Sequence, residues 1–269
     1  MIEKILFPVD FSLSCEAMAA YVKRAAEMFG AHVTLVHVCD LYGNNGFELL
    51  VRNLREVAED HLCIAQERLD SFLRSEFPPA DCARILRTGE AAAQIAETAR
   101  TGGFDLVVMP THAGRFRRML LGSTTAKVLN DADCPVMTTQ HAETIAPRPL
   151  EHRTWVCAIG LSQDSERVLR IASREAAAVG AKLFVIHAAP GDAEPNVRQR
   201  LDALLRATAC QAEIRIAIGP VKESLLNAAR RAAADALIIG RRPQSGTLGR
   251  LRDLTYSLVR DSPFPVLSV

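Results

Sequence analysis

Two places in the first half of the chain carry residues of types that handle anions and sugars. One is Gly122-Ser123-Thr124, at the corner between an apolar run, DLVVMP, and a helical pattern, STTAKVLND. A helix opening there turns unpaired N–H groups and the positive end of its dipole toward whatever lies before it. Gly122 lets a phosphate approach the backbone with no Cβ in the way, and the Ser123 and Thr124 hydroxyls can donate to phosphate oxygens. The stretch leading from Met109 and Pro110 to this corner carries His112, Ala113, Gly114, Arg115, Arg117 and Arg118. The second is a single residue, Asp10, a carboxylate closing the run EKILFPVD, able to accept from ribose hydroxyls.

Each of these residues has a plainer reading. Ser123 serves equally as a helix N-cap, worth about 1 kcal/mol. Asp10 can cap the helix that follows it or close a turn. His37 and His187 lie in apolar runs, where a histidine is more often a hydrogen-bonded core residue than a ligand. The three arginines suit a solvated loop face.

The elements that must position these residues alternate along the chain. EKILFPVD and HVTLVHV read as strands, with the helical SCEAMAAYVKRAAEMFG between them, stopped by Gly30. A long amphipathic helix, FELLVRNLREVAEDHLCIAQERLDSFLRSEF, ends at Pro78-Pro79. CARILR, EAAAQIAETART, DLVVMP, STTAKVLND and CPVMTT continue the alternation. Such a pattern predicts a mostly parallel, doubly wound sheet. In that architecture ligands sit beyond the carboxyl ends of the strands. Asp10, the segment from His37 through Val38 to Cys39, and the segment from Met109 to Ser123 are expected to converge there.

The same order recurs in the second half. At an offset of 150, Ser12 falls on Ser162, Gly30 on Gly180, Ala31 on Ala181 and His37 on His187. At an offset of 130, Gly89 falls on Gly219, Asp105 on Asp235, Leu121 on Leu251, Asp131 on Asp261 and Pro135 on Pro265. The difference, 150 − 130 = 20, is absorbed in the second helix, whose counterpart near PNVRQRLDALLRAT is shorter. Two constant offsets joined by one length change predict tandem copies of one α/β domain, spanning 1–141 and 152–269. HAETIAPRPLEHR, with Pro147 and Pro149, reads as the linker.

The copies are unequal where the ligand would sit. Arg252 stands at the position of Gly122, Asp253 at that of Ser123 and Gly160 at that of Asp10. Asp253 caps a helix as well as serine does but puts a negative charge where phosphate must lie. The first copy is expected to be competent and the second degenerate. Arg241, Arg242, Arg250 and Arg252 leave room for a different anion site, although arginines are common on loops.

Bulk properties exclude several classes. A net charge of +1 over 269 residues offers nothing for nucleic acid. The N-terminal apolar run is too short for a signal peptide core or a membrane span, which makes the cytoplasm the expected location. Seven scattered cysteines, none in a CxxC pair, read as free and mostly buried thiols rather than metal ligands or disulfides.

ILFPVDFS, LVHV, TGEAAAQIAETA and DLVVMPTHAG…LLGSTTAKVLNDADCPV together resemble a universal stress protein, and the resemblance covers both halves, as in a tandem-domain member. It implies two α/β domains, each a five-stranded parallel sheet of order 3-2-1-4-5 flanked by helices. It also implies pairing of such domains through their last strands, as an intrachain pseudo-dimer or a homodimer. Some members bind ATP through a G-x2-G-x9-G-[ST] loop, an aspartate after the first strand and a valine ending the second. Asp10, Val38, Gly122 and Ser123 match that pattern. Pro110 replaces the first glycine. Ala113 takes the place of the second, or Gly114 if the loop shifts, and the spacing from Ala113 to Gly122 is one residue short.

The expected function is a stress-response protein with ATP, with or without Mg²⁺, in the first copy. Adenine would lie near Val38, ribose near Asp10 and phosphates on Gly122, Ser123, Thr124 and nearby backbone. Occupancy would then regulate interactions with a protein partner or assembly. The alternative is an interaction scaffold that takes no nucleotide. ATP-using synthetases of the related hydrolase fold need a glycine-rich turn after the first strand; PVDFSLS has no glycine, which argues against an enzyme of that kind. His112 beside the loop allows at most a weak ATPase.

Overall fold

The computed structural model describes residues 1–40, 54–111, 121–140, 153–189, 196–241 and 248–269. The chain divides into two compact units, one built on Ile2–Val136 and one on Arg148–Val269.

The first half runs β1 (Lys4–Pro8), α1 (Leu13–Phe29), β2 (His32–Cys39), α2 (Leu54–Ser71), β3 (Ala83–Thr88), α3 (Ala91–Thr101), β4 (Leu106–Pro110), α4 (Ser123–Asp131) and β5 (Val136–Thr139). The second half repeats it as β6 (Thr154–Ala158), α5 (Ser165–Ala178), β7 (Lys182–Ala189), α6 (Val197–Ala207), β8 (Glu213–Ile218), α7 (Val221–Arg231), β9 (Ala236–Ile239), α8 (Leu248–Asp261) and β10 (Val266–Ser268). Strand order is β3-β2-β1-β4-β5 in the first half and β8-β7-β6-β9-β10 in the second. The pairings of β1 with β2 and β4, and of β6 with β7 and β9, are parallel. Each half is therefore a doubly wound α/β unit of order 3-2-1-4-5.

The central strands are apolar along their length because helices cover both faces of a parallel sheet. Ile5, Leu6 and Phe7 of β1 and Val107 and Val108 of β4 are fully buried, as are Trp155, Val156 and Cys157 of β6. Leu35 of β2 and Ile186 of β7 are buried as completely. No helix of the described residues is long and apolar enough to cross a membrane. All seven cysteines are free thiols, four of them buried.

The repeat is written into hydrogen bonds as well as sequence. The Asp105 Oδ2 accepts the N–H groups of Glu3 (2.9 Å) and Lys4 (3.0 Å), pinning the entry of β4 to the start of β1. Asp235 does the same for Arg153 and Thr154, at 2.8 Å each. Gly89 and Gly219 follow β3 and β8 at φ 126° and 129°, a region open essentially to glycine alone. Their N–H groups donate to the carbonyls of Cys39 and Ala189, both at 3.0 Å.

Three expectations need correction. The second helix is shorter than its apolar pattern: of the described residues only Leu54–Ser71 are helical, while residues 72–76 form turns ahead of Pro78-Pro79. Ser123 is not the cap of α4. Gly122 is, with φ −60° and ψ 141°, and Ser123 is the first helical residue. Nor does Asp253 cap α8, which already begins at Leu248; LGRLRD contains mostly good helix formers and no Gly-Ser corner to delay the start.

Candidate functional site

The carboxyl ends of β1, β2 and β4 and the N-terminus of α4 enclose a cavity of about 210 Å³. Of the residues expected in a nucleotide site, Asp10, Val38, Met109, Pro110, Gly122, Ser123 and Thr124 all line it. His112, Ala113 and Gly114, with Arg115, Arg117 and Arg118, lie outside the described residues.

The floor is made by the strand ends. Thr125, in the first turn of α4, donates its hydroxyl to the Pro110 carbonyl at 3.0 Å, which docks the helix on β4. The second half keeps this contact as Thr255 to the Gly240 carbonyl at 3.4 Å. The Gly122 N–H is spent on the Thr111 carbonyl at 2.8 Å, and the Gly122 carbonyl accepts the Ala126 N–H at 2.9 Å, closing the first helical bond. Having no side chain, Gly122 makes no side-chain capping hydrogen bond. The next N–H groups, at Ser123, Thr124 and Thr125, therefore lack the oxygen that a Ser, Asp or Asn cap supplies. They open on the cavity with the helix dipole behind them. α3, by contrast, has its own acid: Glu90 Oε2 accepts the Ala93 N–H at 2.7 Å. Its other oxygen takes Lys127 of α4 at 2.9 Å, and this hydrogen bond from Lys127 holds the Glu90 carboxyl below its usual range. Ala91 and Ile95 of α3 face the cavity as apolar wall.

Asp10 stands at the turn between β1 and α1. Its Oδ1 accepts the Ser12 N–H at 3.0 Å and the Cys15 thiol at 3.0 Å, while Ser12 caps α1 by accepting the Cys15 N–H at 3.3 Å. The turn runs through Phe11 at φ 61°, a left-handed conformation rarely taken by a bulky residue. The Phe11 ring is held in return. It lies tilted against His37 at 4.3 Å, meets Phe72 edge-on at 5.3 Å and lies under the Arg68 guanidinium at 4.5 Å.

His37 also lines the cavity. Its Nδ1 donates to the Val9 carbonyl at 2.7 Å, so the hydrogen-bond network assigns the proton of the neutral ring to Nδ1 and leaves Nε2 as an acceptor. Burial lowers the His37 pKa below its ordinary value, reinforced by Arg68 and opposed by the Val9 carbonyl and Asp10. His187 makes the same bond to the Ile159 carbonyl at 2.7 Å. Both are hydrogen-bonded histidines within the fold, as their apolar surroundings suggest.

Of the polar residues lining the cavity, Cys15 and Thr125 were not expected there, and His37 was placed at that end of the sheet without a ligand role. His37 was legible as a strand residue, and its place at the strand end was the available signal. Cys15 carried no signal by type; only the left-handed turn at Phe11 brings it under Asp10. Burial, followed by the adjacent Asp10 charge, pushes its thiol up, so it is a proton donor and no nucleophile. The cavity thus offers a carboxylate, two hydroxyls and a helix N-terminus facing an apolar wall of Val38, Ala91, Ile95 and Met109. That suits a ligand with a flat apolar part, a polyhydroxyl part and an anionic tail.

The corresponding place in the second half is furnished differently. Gly160 replaces Asp10 and Gly240 replaces Pro110. Arg167 grips Asp164 through two bonds of 2.7 Å, and Asp164 Oδ2 lies 3.9 Å from where a Cβ on Gly240 would stand. A carboxylate with its own guanidinium leans on the end of β9. Arg242 lies outside the described residues, as do the side chains of Arg250, Arg252 and Asp253.

Comparison with known proteins agrees with this architecture. The model of the universal stress protein family matches residues 1–140 and again 152–269. A universal stress protein of Thermus aquaticus is 31% identical over 142 residues, which cover 98% of that protein and 51% of this chain. One of Methanocaldococcus jannaschii is 25% identical over 152 residues, covering 94% of it and 51% of this chain. The crystal structure of a universal stress protein from Archaeoglobus fulgidus shares the fold, with a TM-score of 0.73 at 19% identity over 98% of this chain and 97% of that one. With a family match in each half, over a repeated 3-2-1-4-5 sheet, the chain belongs to the universal stress protein family.

Proposed function

We propose that the first half binds ATP in the cavity at the ends of β1, β2 and β4, and that the second half does not. Adenine lies against Val38 and the apolar wall, the ribose hydroxyls meet Asp10, and the phosphates take the N–H groups and hydroxyls of Ser123 and Thr124. The observation that carries this reading is the glycine-capped start of α4. Its first N–H groups have no cap oxygen and open on the same cavity as Asp10. Occupancy alters an interaction surface or the state of assembly, as befits a stress-response regulator of the cytoplasm rather than an enzyme.

A scaffold that takes no nucleotide is the competing reading, and Pro110 favours it. Standing where the family loop has its first glycine, Pro110 has no N–H to offer a phosphate.

Calorimetric titration of Mg²⁺-ATP into nucleotide-free protein separates the two. The expected result is one site per chain. The double substitution Gly122→Arg/Ser123→Asp, which writes the second half's residues into the first, then weakens binding by at least about 100-fold, or roughly 2.7 kcal/mol. No heat from the native chain beside a working positive control leaves the scaffold.

A further inference from the structure

Asp10 is held by one of its two oxygens. Oδ1 accepts both the Ser12 N–H and the Cys15 S–H, each at 3.0 Å, and among the described residues no donor reaches Oδ2. A carboxylate oxygen has about two lone-pair sites, so Oδ1 is saturated and Oδ2 is open. The last torsion of an aspartate is broad and two-fold; two donors on one oxygen remove that freedom.

The thiol is committed to this task. It has one proton and two acceptors in range, Asp10 Oδ1 at 3.0 Å and the Pro8 carbonyl at 3.8 Å. The nearer is charged and takes it. Cys15 is 2% exposed, which shields the bond from water.

The second half supplies an independent observation. There Gly160 offers no carboxylate, and the residue equivalent to Cys15 is Ser165. Its hydroxyl oxygen accepts the Ser162 N–H at 2.8 Å, replacing Asp10 as partner of that turn. With a carboxylate at the strand end, the helix presents a donor to it. Without one, the helix presents an acceptor to the turn.

We infer that Cys15 is a positioning residue: its S–H fixes Asp10 so that Oδ2 meets the ribose diol, and it thereby sets the preference for ATP over 2′-deoxy-ATP. This rests on the nucleotide reading above. The thiol touches no ligand. It acts by denying Asp10 the rotation that would let a single remaining hydroxyl satisfy it equally well.

The test is titration of ATP and 2′-deoxy-ATP into the full chain and its Cys15→Ala and Cys15→Ser variants. The native chain is expected to prefer ATP. In Cys15→Ala the preference falls by roughly three- to tenfold, the size of one ordinary hydrogen bond, while affinity for 2′-deoxy-ATP stays near native. Cys15→Ser, whose hydroxyl still donates, keeps the preference. An unchanged ratio in Cys15→Ala overturns the inference and leaves the nucleotide reading standing. A native chain that binds neither nucleotide overturns both. A second measurement needs no Cys15 variant: the infrared S–H stretch of nucleotide-free protein, compared with Asp10→Ala. A hydrogen-bonded band that shifts toward the free-thiol position in Asp10→Ala, where only the more distant Pro8 carbonyl remains, is expected, and identical spectra overturn the assignment.

Discussion

Phe11 and Leu161 take the same left-handed backbone, at φ 61° and 54°, just beyond equivalent strands in the two halves. Around them everything that builds the sheet is kept. His37 and His187 bind the carbonyls of Val9 and Ile159, and Asp105 and Asp235 each hold two N–H groups at the start of the neighbouring strand. Several of the residues that face the cavity are not kept. Asp10 with Cys15 becomes Gly160 with Ser165, Pro110 becomes Gly240, and the glycine-capped helix becomes one that starts at Leu248. Divergence of the side chains at this end of the sheet, over a frame that is kept, is what the proposal of one nucleotide site per chain predicts.

The most forceful way to break that comparison is to attack what the halves share. Asp105→Ala and Asp235→Ala each strand two backbone N–H groups at a strand entry. Each is expected to lower stability in urea denaturation by roughly 1–3 kcal/mol. Effects of similar size support a common frame; indifference to either one breaks it.

A smaller effect sharpens the difference between the halves. A Cβ on Gly240 would stand 3.0 Å from Val168 Cγ2. Gly240→Ala is expected to cost about 1 kcal/mol of stability by overpacking, with no change in ATP affinity. Altered ATP binding in this variant would mean that the second half contributes to the site after all.

The smallest effect is a titration. Burial holds the His37 pKa below about 6.5. The unfolded chain then takes up its proton first as pH falls. The contribution of the neutral ring is complete above about pH 6.5 and is lost as pH falls through the lowered folded value. Proton NMR of the ring is expected to show the lowered midpoint. Replacement by Gln is expected to flatten the stability profile in that window. A ring titrating at or above 6.5 contradicts the buried Nδ1–H arrangement.

Much of this molecule was legible in the residues. Periodicity separated strands from helices, and the offsets of 150 and 130 revealed the duplication because strand and turn residues are constrained at every position. The length change falls where expected, between α2 of 18 residues and α6 of 11. Site residues could be gathered because sheet topology dictates which ends converge. Three things were out of reach. The cap of α4 moved from Ser123 to Gly122 because Thr111 draws the Gly122 N–H away, a tertiary contact. α8 began early because propensity carried the helix back to Leu248. Cys15 was overlooked because a left-handed Phe11 has no periodic signature; its partners Arg68, Phe72 and His37 come from α2, the turn after it and β2.

The aspartate that joins β4 to β1 also marks how long the first strand waits for its neighbour during synthesis. In the first half it reaches across 102 residues, in the second across 82. At a synthesis speed of about 5–20 residues per second, β1 leaves the ribosome roughly 5–20 s before its β4 neighbour exists. Through that interval Ile5, Leu6 and Phe7, wholly buried in the finished sheet, have an open strand edge beside them. Contacts so distant in sequence close slowly. The shorter span gives the second half a briefer exposure of the same strand edge.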